Sequence, residues 1–239
     1  MRDDKQDMKR QEHYARLANS VVNTNRWSEL EKKMLSTESN IFLNSRQQNV
    51  FFELLCALRT EYDSLKYDYS ENKYTSRSLL AWRARNILEI NTWLRFCCEK
   101  TENAEEFFKW AGEDQLELED QLEKWGQDTD QPSEWFEEIE RIRKYVLDQS
   151  EKRGIPDLKS NYRSPSKVAK EFGHDKNFKI HNKILSKFAH PTPMYILTKE
   201  QGDGLPKRAF YFYSQACLFF YDAILGLEMF LEENKKEAA

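Results

Sequence analysis

The amino-acid sequence predicts an all-α fold, a multi-helix bundle, and three observations carry this prediction. The 239 residues include only 7 glycines and 6 prolines, together about 5% of the chain where globular proteins average about 12%. Apolar residues recur with the helical period along almost the whole chain, and no strand-like alternation lasts beyond four residues. The aromatic content of 13% offsets the charged fraction of 33%, so the chain can bury enough apolar surface to fold.

Four helices are predicted in the first hundred residues: 4–22, 27–36, 39–67 and 76–100. The first two are short and amphipathic, and we expect residues 1–38 to form an N-terminal helical arm. The third carries a long apolar stripe that begins at Ile41. The fourth begins at Ser76 or at the neighbouring Thr75, because either hydroxyl suits the N-cap position.

Four more helices complete the predicted bundle: 103–125, 132–152, 165–189 and 207–233. The clearest loop lies between Gly154 and Pro165. Gly173 interrupts the helix at 165–189, and Pro191 follows its end. We expect residues 39–239 to form a single bundle domain, with an acidic helical insertion at about residues 102–152.

Charge is distributed unevenly, although the formal net charge is only −4. Residues 102–140 hold fifteen acidic and two basic side chains, whereas residues 152–187 hold ten basic and three acidic ones. An anion or a nucleic acid would prefer the basic region, and a basic protein partner would prefer the acidic segment 102–140. Alternatively, the two stretches neutralise each other or are solvated faces.

Several classes of protein and of site are disfavoured. The charged N-terminus is followed by no apolar run, so we expect no secretory signal and a cytoplasmic location. The four cysteines lack C-x-x-C spacing and are interpreted as reduced core residues. Signatures of nucleotide-binding loops, nucleophile elbows, metalloproteases and kinases are missing from the sequence. The four histidines lack metal-ligand spacing, so neither a metal nor another cofactor is expected.

The last predicted helix is aromatic on all sides. Residues 210–231 are apolar enough to suggest a membrane span, but they include three polar residues: Gln215, Asp222 and Glu228. These favour a buried central helix, and we expect no membrane association. Either the bundle surrounds this helix, or the face with Ser214, Cys217 and Tyr221 forms a homodimer contact through the C-terminal helix.

Two arginines on the helix at 76–100 are candidate site residues. Arg83 falls near the centre of the apolar stripe, where an unpaired guanidinium costs several kcal/mol. It therefore requires a bound anion, a route to the surface, or a buried acid such as Asp222. Arg85 and Glu89 lie four residues apart on the opposite side, and such a pair stabilises a helix by about 0.2–0.5 kcal/mol.

The helix that precedes Pro191 carries candidate histidines and a row of lysines. His181 lies in the middle of its apolar face, as a site residue or as a satisfied core histidine. His190 lies at the helix end, where the backbone dipole favours the imidazolium form. The basic stripe on the other side consists of Lys176, Lys179, Lys183 and Lys187. This stripe either grips a phosphate backbone, with His190 moving a proton nearby, or is simply solvated.

These two helices carry short motifs that resemble a known group. Residues 85–89 read Arg-Asn-Ile-Leu-Glu, and residues 185–191 read Leu-Ser-Lys-Phe-Ala-His-Pro. An R-x-x-x-E helix followed by an L-S-x-x-x-H-P segment is similar to a group of uncharacterised bacterial helical proteins associated with the wider HEPN-like domains. The resemblance covers about residues 40–100 and 165–232.

The resemblance implies a four-to-five-helix bundle, often dimeric. Many such domains are metal-independent ribonucleases of toxin, abortive-infection and antiviral systems, and others bind only nucleotides or partners. Their active motif places an arginine, then four to six residues, then a histidine. In this sequence the window before His190 contains Lys183, Ile184 and Leu185, and only Lys183 could take the place of the arginine. The resemblance implies His190 as a general acid or base near a ribose 2′-hydroxyl, with Lys183 or an arginine of the other helix stabilising phosphate charge.

We therefore expect a HEPN-like helical protein that acts on or binds RNA, in a bacterial defence or toxin–antitoxin setting. The expected site residues are Arg83, Arg85, Glu89, His181 and His190. The competing hypothesis is a non-enzymatic interaction module, in which the Arg/Glu/His contacts are structural and the acidic segment contacts a basic partner. A third hypothesis, a small-molecule enzyme in the bundle core, has no motif behind it.

Overall fold

The computed structural model describes residues 4–35, 45–71, 77–155, 157–158, 162–190, 192–194 and 204–237. Within these ranges the chain forms helices and no strands, which confirms the predicted all-α multi-helix bundle. The helices are α1 (Asp4–Asn23), α2 (Asn25–Leu35), α3 (Ser45–Glu71), α4 (Arg77–Glu99), α5 (Thr101–Asp128), α6 (Ser133–Lys152), α7 (Pro165–Glu171), α8 (Asp175–Ala189) and α9 (Gly204–Glu237).

The helix ends agree with the predicted ones to within a few residues for most elements. The predicted start of the third helix, residues 39–44, lies outside the described residues, as do the candidate caps Thr75 and Ser76. The predicted helix at 165–189 is two helices, α7 and α8. Its interruption was expected near Gly173, and that is where the helix breaks.

Gly173 produces the break through its backbone conformation. Its φ of 70° lies in the left-handed region, which glycine adopts without steric cost. The N–H of Gly173 donates to the carbonyl of Lys170 (3.1 Å), and the N–H of His174 donates to that of Ala169 (2.9 Å). This pair of bonds is a Schellman motif, which satisfies the last carbonyls of α7 and redirects the chain into α8.

The chain divides into two compact units. The first comprises Met1–Thr101 and Arg163–Ala239, and the second comprises Glu102–Tyr162. In the first unit α9 is the central helix, which packs against α1, α3 and α4. Helix α4 also packs against α3, α7 and α8. This arrangement places the arginine-bearing helix α4 beside the histidine-bearing helix α8.

The core of the first unit is built from aromatic rings stacked on α9. Phe220 is fully buried and stacks on Tyr62 of α3 at 4.1 Å and on Trp27 of α2 at 6.0 Å between ring centroids. Phe51 and Phe230 stack in the same way at 4.9 Å. These contacts explain how a chain with so many charged residues retains a substantial core.

The second unit contains a helical hairpin of α5 and α6. The turn between them is closed by the N–H of Gln131, which donates to the carbonyl of Gly126 (2.9 Å). The Trp135 ring of α6 packs against Gly126, where even a methyl group would approach its Nε1 to 2.7 Å. Arg143 pairs with three acids of the hairpin: Asp120, Glu123 and Glu140. These ion pairs neutralise part of the acidic segment from within.

Helix α9 is covered by its own bundle over much of its length. The segment Arg208–Asn234 meets the length and hydropathy criteria for a membrane span, as buried core helices of soluble proteins also do, and 56% of its most apolar window is buried. Ser214 and Cys217 are fully buried within the chain. Tyr221 on the same face is partly exposed, and the homodimer contact through the C-terminal helix stays a prediction.

Candidate functional site

Arg85 of α4 and His190 at the end of α8 lie in direct contact. The distance from Nη1 of Arg85 to Nε2 of His190 is 2.8 Å, across 105 positions of sequence. Nε of Arg85 donates to Oε1 of Glu89 at 2.9 Å, one helical turn further along α4. The sequence predicted all three as site residues, and the structure brings them together as an Arg85–Glu89–His190 cluster.

The backbone around His190 is held by local hydrogen bonds. Its N–H donates to the carbonyl of Ser186 at 3.3 Å, and its carbonyl accepts from the N–H of Thr192 at 2.8 Å. The Thr192 hydroxyl donates to the carbonyl of Lys187 at 3.0 Å. His190 itself has left the helix, with an extended backbone (φ −106°, ψ 153°). The imidazole therefore sits just beyond the negative end of the α8 dipole, where it meets the cationic Arg85.

Hydrogen-bond chemistry defines the form of the imidazole in this contact. A guanidinium has donors and no acceptor, so Nε2 of His190 accepts the hydrogen bond and the ring proton is on Nδ1. His190 is exposed, and Arg85 and Glu89 are partly exposed, at 29% and 27% of their side chains. Of the five N–H groups of Arg85, three have no partner among the described residues. The cluster thus presents unused guanidinium N–H groups and an imidazole ring at the surface.

The four lysines of the predicted basic stripe are exposed along α8. Lys179 pairs with Asp175 at 2.8 Å. Among the described side chains, no ion pair is found for Lys176, Lys183 or Lys187. The stripe therefore keeps most of its charge, and its last member lies three residues before His190.

Arg83 has a different position from the other predicted site residues. Its Nη1 donates to Glu61 at 3.0 Å, and its Nε lies 3.5 Å from Asp68, both on α3. Asn86 also donates to Glu61, at 3.2 Å. The prediction that Asp222 pairs with Arg83 is wrong, because Asp222 pairs with Arg95. The contacts of Arg83 join α3 to α4, and its place among the site residues stays a prediction.

His181 is half-buried, and its ring packs edge-on against Phe219 of α9 with centroids 5.2 Å apart. Burial lowers the pKa of His181, because a charged imidazolium is poorly solvated there. His174, seven residues earlier, is the exposed N-cap residue of α8 and lines the same cavity as His181. His181 lines a cavity of the first unit and is not part of the cluster.

The partner of Asp222 is Arg95, a residue that the sequence did not single out. Arg95 binds both carboxylate oxygens of Asp222, with Nε at 3.1 Å and Nη2 at 2.5 Å. An acid within an apolar helix was the available signal, because it requires a cation. Arg83, Arg85 and Arg95 all lie on α4, and only the packing register of α4 against α9 selects Arg95 as the partner of Asp222.

Comparison with known proteins identifies a family and nothing closer. No curated protein and no solved structure matches the chain. Residues 49–204, about two thirds of the sequence, match the model of a family of unknown function, DUF5677. The matched segment includes the whole Arg85–Glu89–His190 cluster. The expectation of an uncharacterised family is thereby confirmed, and the chain belongs to the family of unknown function DUF5677.

Proposed function

We propose that this protein binds single-stranded RNA at the Arg85–Glu89–His190 cluster and cleaves it without a metal, in the manner of the HEPN-like ribonucleases that its motifs resemble. The observation that carries the proposal is the 2.8 Å contact between Arg85 and His190. A guanidinium and an imidazole that share an exposed position combine phosphate binding with proton transfer. Cleavage of RNA requires both.

Phosphate binding rests on the guanidinium and on the lysines. The three unused N–H groups of Arg85 can donate to phosphate oxygens, and Glu89 fixes the orientation of the guanidinium through Nε. Lys176, Lys183 and Lys187 extend positive charge along α8 toward His190. A row of cations that ends at the reactive group suits a polyanion better than a small phosphorylated molecule.

Base binding has a candidate close by. Trp82 is 56% exposed and precedes Arg85 by three residues on α4, so the two side chains occupy neighbouring parts of the helix surface. An exposed indole ring provides a stacking face for an unpaired base, worth about 1–3 kcal/mol per base. This preference for stacking favours single-stranded RNA over a duplex.

The chemical step uses His190 as general base. Nε2 leaves its bond with Arg85 and takes the proton of a ribose 2′-hydroxyl, whose oxygen then bonds to phosphorus. The bond from phosphorus to the 5′-oxygen breaks, that oxygen takes a proton from water, and the hydroxide so formed takes the proton that His190 holds. The products are a 2′,3′-cyclic phosphate and a 5′-hydroxyl. Arg85, released from His190, stabilises the added charge on the phosphate oxygens.

The proposal also accounts for the departure from the usual HEPN motif. No arginine lies four to six residues before His190, and Lys183 occupies that window. A lysine lacks the bidentate fork of a guanidinium. In this protein Arg85 supplies that fork from a different helix.

The test is cleavage of a labelled single-stranded RNA in the presence of EDTA. The expected result is a product with a 2′,3′-cyclic phosphate end. We expect the His190→Ala and Arg85→Ala variants to lose activity by about 10²–10⁴-fold, and the control variant His13→Ala, changed at an exposed histidine of α1, to keep it. Intact RNA, or equal cleavage by His190→Ala and the parent, would overturn the ribonuclease proposal.

A role in defence or toxicity is part of the same proposal and has its own readout. Expression of the parent chain is expected to slow bacterial growth, whereas the folded His190→Ala variant is not. Unimpaired growth with both chains would contradict this role. Equal toxicity would show that the effect does not depend on the cluster.

A second candidate function is docking of a basic protein on the second unit. The acidic segment is dense in charge: burial, followed by the nearby charges of Glu117 and Glu113, raises the pKa of Asp114. A basic partner would relieve this repulsion. The two candidates differ in one measurement, since RNA binding through phosphate contacts weakens steeply with salt, whereas an acidic docking protein has no RNA affinity at any salt concentration.

A further inference from the structure

The first unit contains a cavity of about 760 Å³ between α1, α4, α7, α8 and α9. Its volume is in the range of small-molecule sites, about 300–1,000 Å³. Its lining includes Asn91, Arg95, Asp222 and His181. None of the residues of the Arg85–Glu89–His190 cluster lines it. The proposed function therefore does not involve this cavity.

The polar wall of the cavity contains an acceptor without a donor. Nδ2 of Asn91 donates to Oδ2 of Asp222 at 3.0 Å, and this bond fixes the orientation of the amide. Within the described part of the chain Oδ1 of Asn91 then has no hydrogen-bond partner, although the residue is only 5% exposed. A buried acceptor without a donor destabilises the folded chain, because it has lost its hydrogen bonds to water. A ligand that carries a donor would remove this cost.

Arg95 provides the complementary group in the same wall. It uses Nε and one N–H of Nη2 for Asp222, so three of its N–H groups have no partner within the described part of the chain. These include both hydrogens of Nη1. Because Arg95 and Asn91 both contact Oδ2 of Asp222, the free groups of the two residues lie within the span of one small ligand. A carboxylate is the planar anion that such a guanidinium edge fits best.

The remaining wall is aromatic. Phe172, Phe178 and Phe219 line the cavity, and the His181 ring packs edge-on against Phe219. Because burial lowers the pKa of His181, the imidazole is favoured in its neutral form and behaves as a fourth aromatic ring. Apolar walls with a few convergent polar groups are typical of sites for small organic ligands.

We propose that this cavity binds a small aromatic carboxylate with an N–H donor beside the acid group, the chemistry of an aromatic α-amino acid. The carboxylate of the ligand binds the free edge of Arg95. Its ammonium group donates to Oδ1 of Asn91, with the carboxylate of Asp222 compensating the positive charge. Its ring packs among Phe172, Phe178 and Phe219. Each part of the ligand then meets a group that the cavity supplies.

Isothermal titration of the full chain with three compounds tests the proposal. L-phenylalanine has all three recognised parts, 3-phenylpropionate lacks the amine, and phenethylamine lacks the carboxylate. We expect saturable binding of L-phenylalanine at one site and binding of each analogue that is weaker by about tenfold or more, which corresponds to about 1.4 kcal/mol. Lack of saturable binding of L-phenylalanine, or equal affinities for the three compounds, would overturn the proposal.

Variants of the polar wall provide the second arm. Arg95→Lys keeps the charge but loses the planar edge, and Asn91→Leu removes the acceptor at similar volume; each is expected to weaken L-phenylalanine about tenfold or more. The control is Arg141→Ala, changed at a side chain that is 73% exposed in the second unit. Unchanged affinity in both folded wall variants would refute the assignment. Because RNA cleavage is measured separately, failure here leaves the proposed ribonuclease activity unaffected.

Discussion

Burial determines how individual side chains of this protein behave. Burial raises the pKa of the Cys217 thiol to about 12, so the reactive thiolate is scarce near neutral pH. Of the four cysteines, Cys97 and Cys217 are buried and Cys56 and Cys98 are half-buried, and their reduced state stays a prediction. Burial lowers the pKa of His181, since burial disfavours the charged form of both groups.

The lowered pKa of His181 predicts a pH-dependent stability. The unfolded chain binds a proton near the ordinary pKa of 6.5, whereas the folded chain binds it only at lower pH. Stability is therefore fully present above that value and is lost as the pH falls through it toward the folded pKa. Urea unfolding at several pH values between about 8 and 5 measures this loss.

The control for this prediction replaces a histidine in each environment. We expect His181→Gln to flatten the stability profile and His174→Gln, changed at an exposed histidine, to leave it unchanged. A His181→Gln profile as steep as that of the parent would show that other groups cause the pH dependence.

Sequence reasoning identified single residues best where the partner lies on the same helix. The Arg85–Glu89 pair follows from a spacing of four residues, and it was predicted. The partners of Arg83, which are Glu61 and Asp68, lie on another helix. No spacing rule reaches across helices, so only the packing of α3 on α4 selects them.

At the level of elements, α9 organises the first unit. Many of its side chains are buried, and it packs against α1, α3 and α4. Asn19 joins α1 to the core residue Tyr62 of α3, because its amide oxygen accepts a hydrogen bond from the Tyr62 hydroxyl at 3.1 Å. The N-terminal helices therefore pack on the bundle and contribute to its core.

Removing the central ring of α9 should destabilise the whole first unit. Phe220 is fully buried and stacks on two aromatic rings, so Phe220→Ala is expected to lower the free energy of unfolding by about 3–5 kcal/mol. Met229→Ala on the same helix, at a residue that is 60% exposed, should change it by less than about 0.5 kcal/mol. Chemical denaturation compares the two, and equal effects would contradict the central position of Phe220.

The break between α7 and α8 should depend on glycine. A Cβ at Gly173 meets no atom within 4 Å, so any cost of Gly173→Ala comes from the backbone alone. The left-handed conformation makes that cost about 1–2 kcal/mol, and Gly173→Asn should cost less because asparagine tolerates this conformation. If unfolding experiments rank Ala above Asn in stability, the Schellman motif does not control this break.

The helices themselves could be predicted because the buried face of each helix requires apolar residues at the helical period, and this spacing is visible in the sequence. The ends were less predictable, since a cap depends on a few local hydrogen bonds. The α7–α8 break was visible only as one glycine, Gly173. The uneven charge led to the prediction of an acidic helical insertion at about residues 102–152. The division into the units Met1–Thr101 with Arg163–Ala239 and Glu102–Tyr162 itself depends on long-range contacts.

For the whole molecule, the unequal distribution of charge is the feature that bears most on function. The net charge of −4 would repel RNA, so binding must rely on a local positive surface. The exposed lysines of α8 and the Arg85–Glu89–His190 cluster form the candidate surface. The acidic hairpin in the second unit provides no such contact for RNA.

The lysine stripe should set the salt dependence of RNA binding. Each phosphate contact adds about −0.7 to the slope of log K against log salt for a single strand. Changing Lys176, Lys183 and Lys187 to glutamine together should therefore reduce the slope by about 2, if each contacts one phosphate. Lys124→Gln, at an exposed lysine of α5, should leave it unchanged, and fluorescence anisotropy at several salt concentrations measures both.

A double-mutant cycle on Arg85 and His190, read out as affinity for a single-stranded RNA, tests most directly whether the two residues form one site. We expect each single alanine variant to bind RNA more weakly than the parent. The double variant should bind little more weakly than the single variant with the lower affinity, with a coupling energy of about 0.5–3 kcal/mol. Strictly additive losses, or an RNA affinity that neither substitution changes, would show that the 2.8 Å contact between the two side chains has no part in binding RNA.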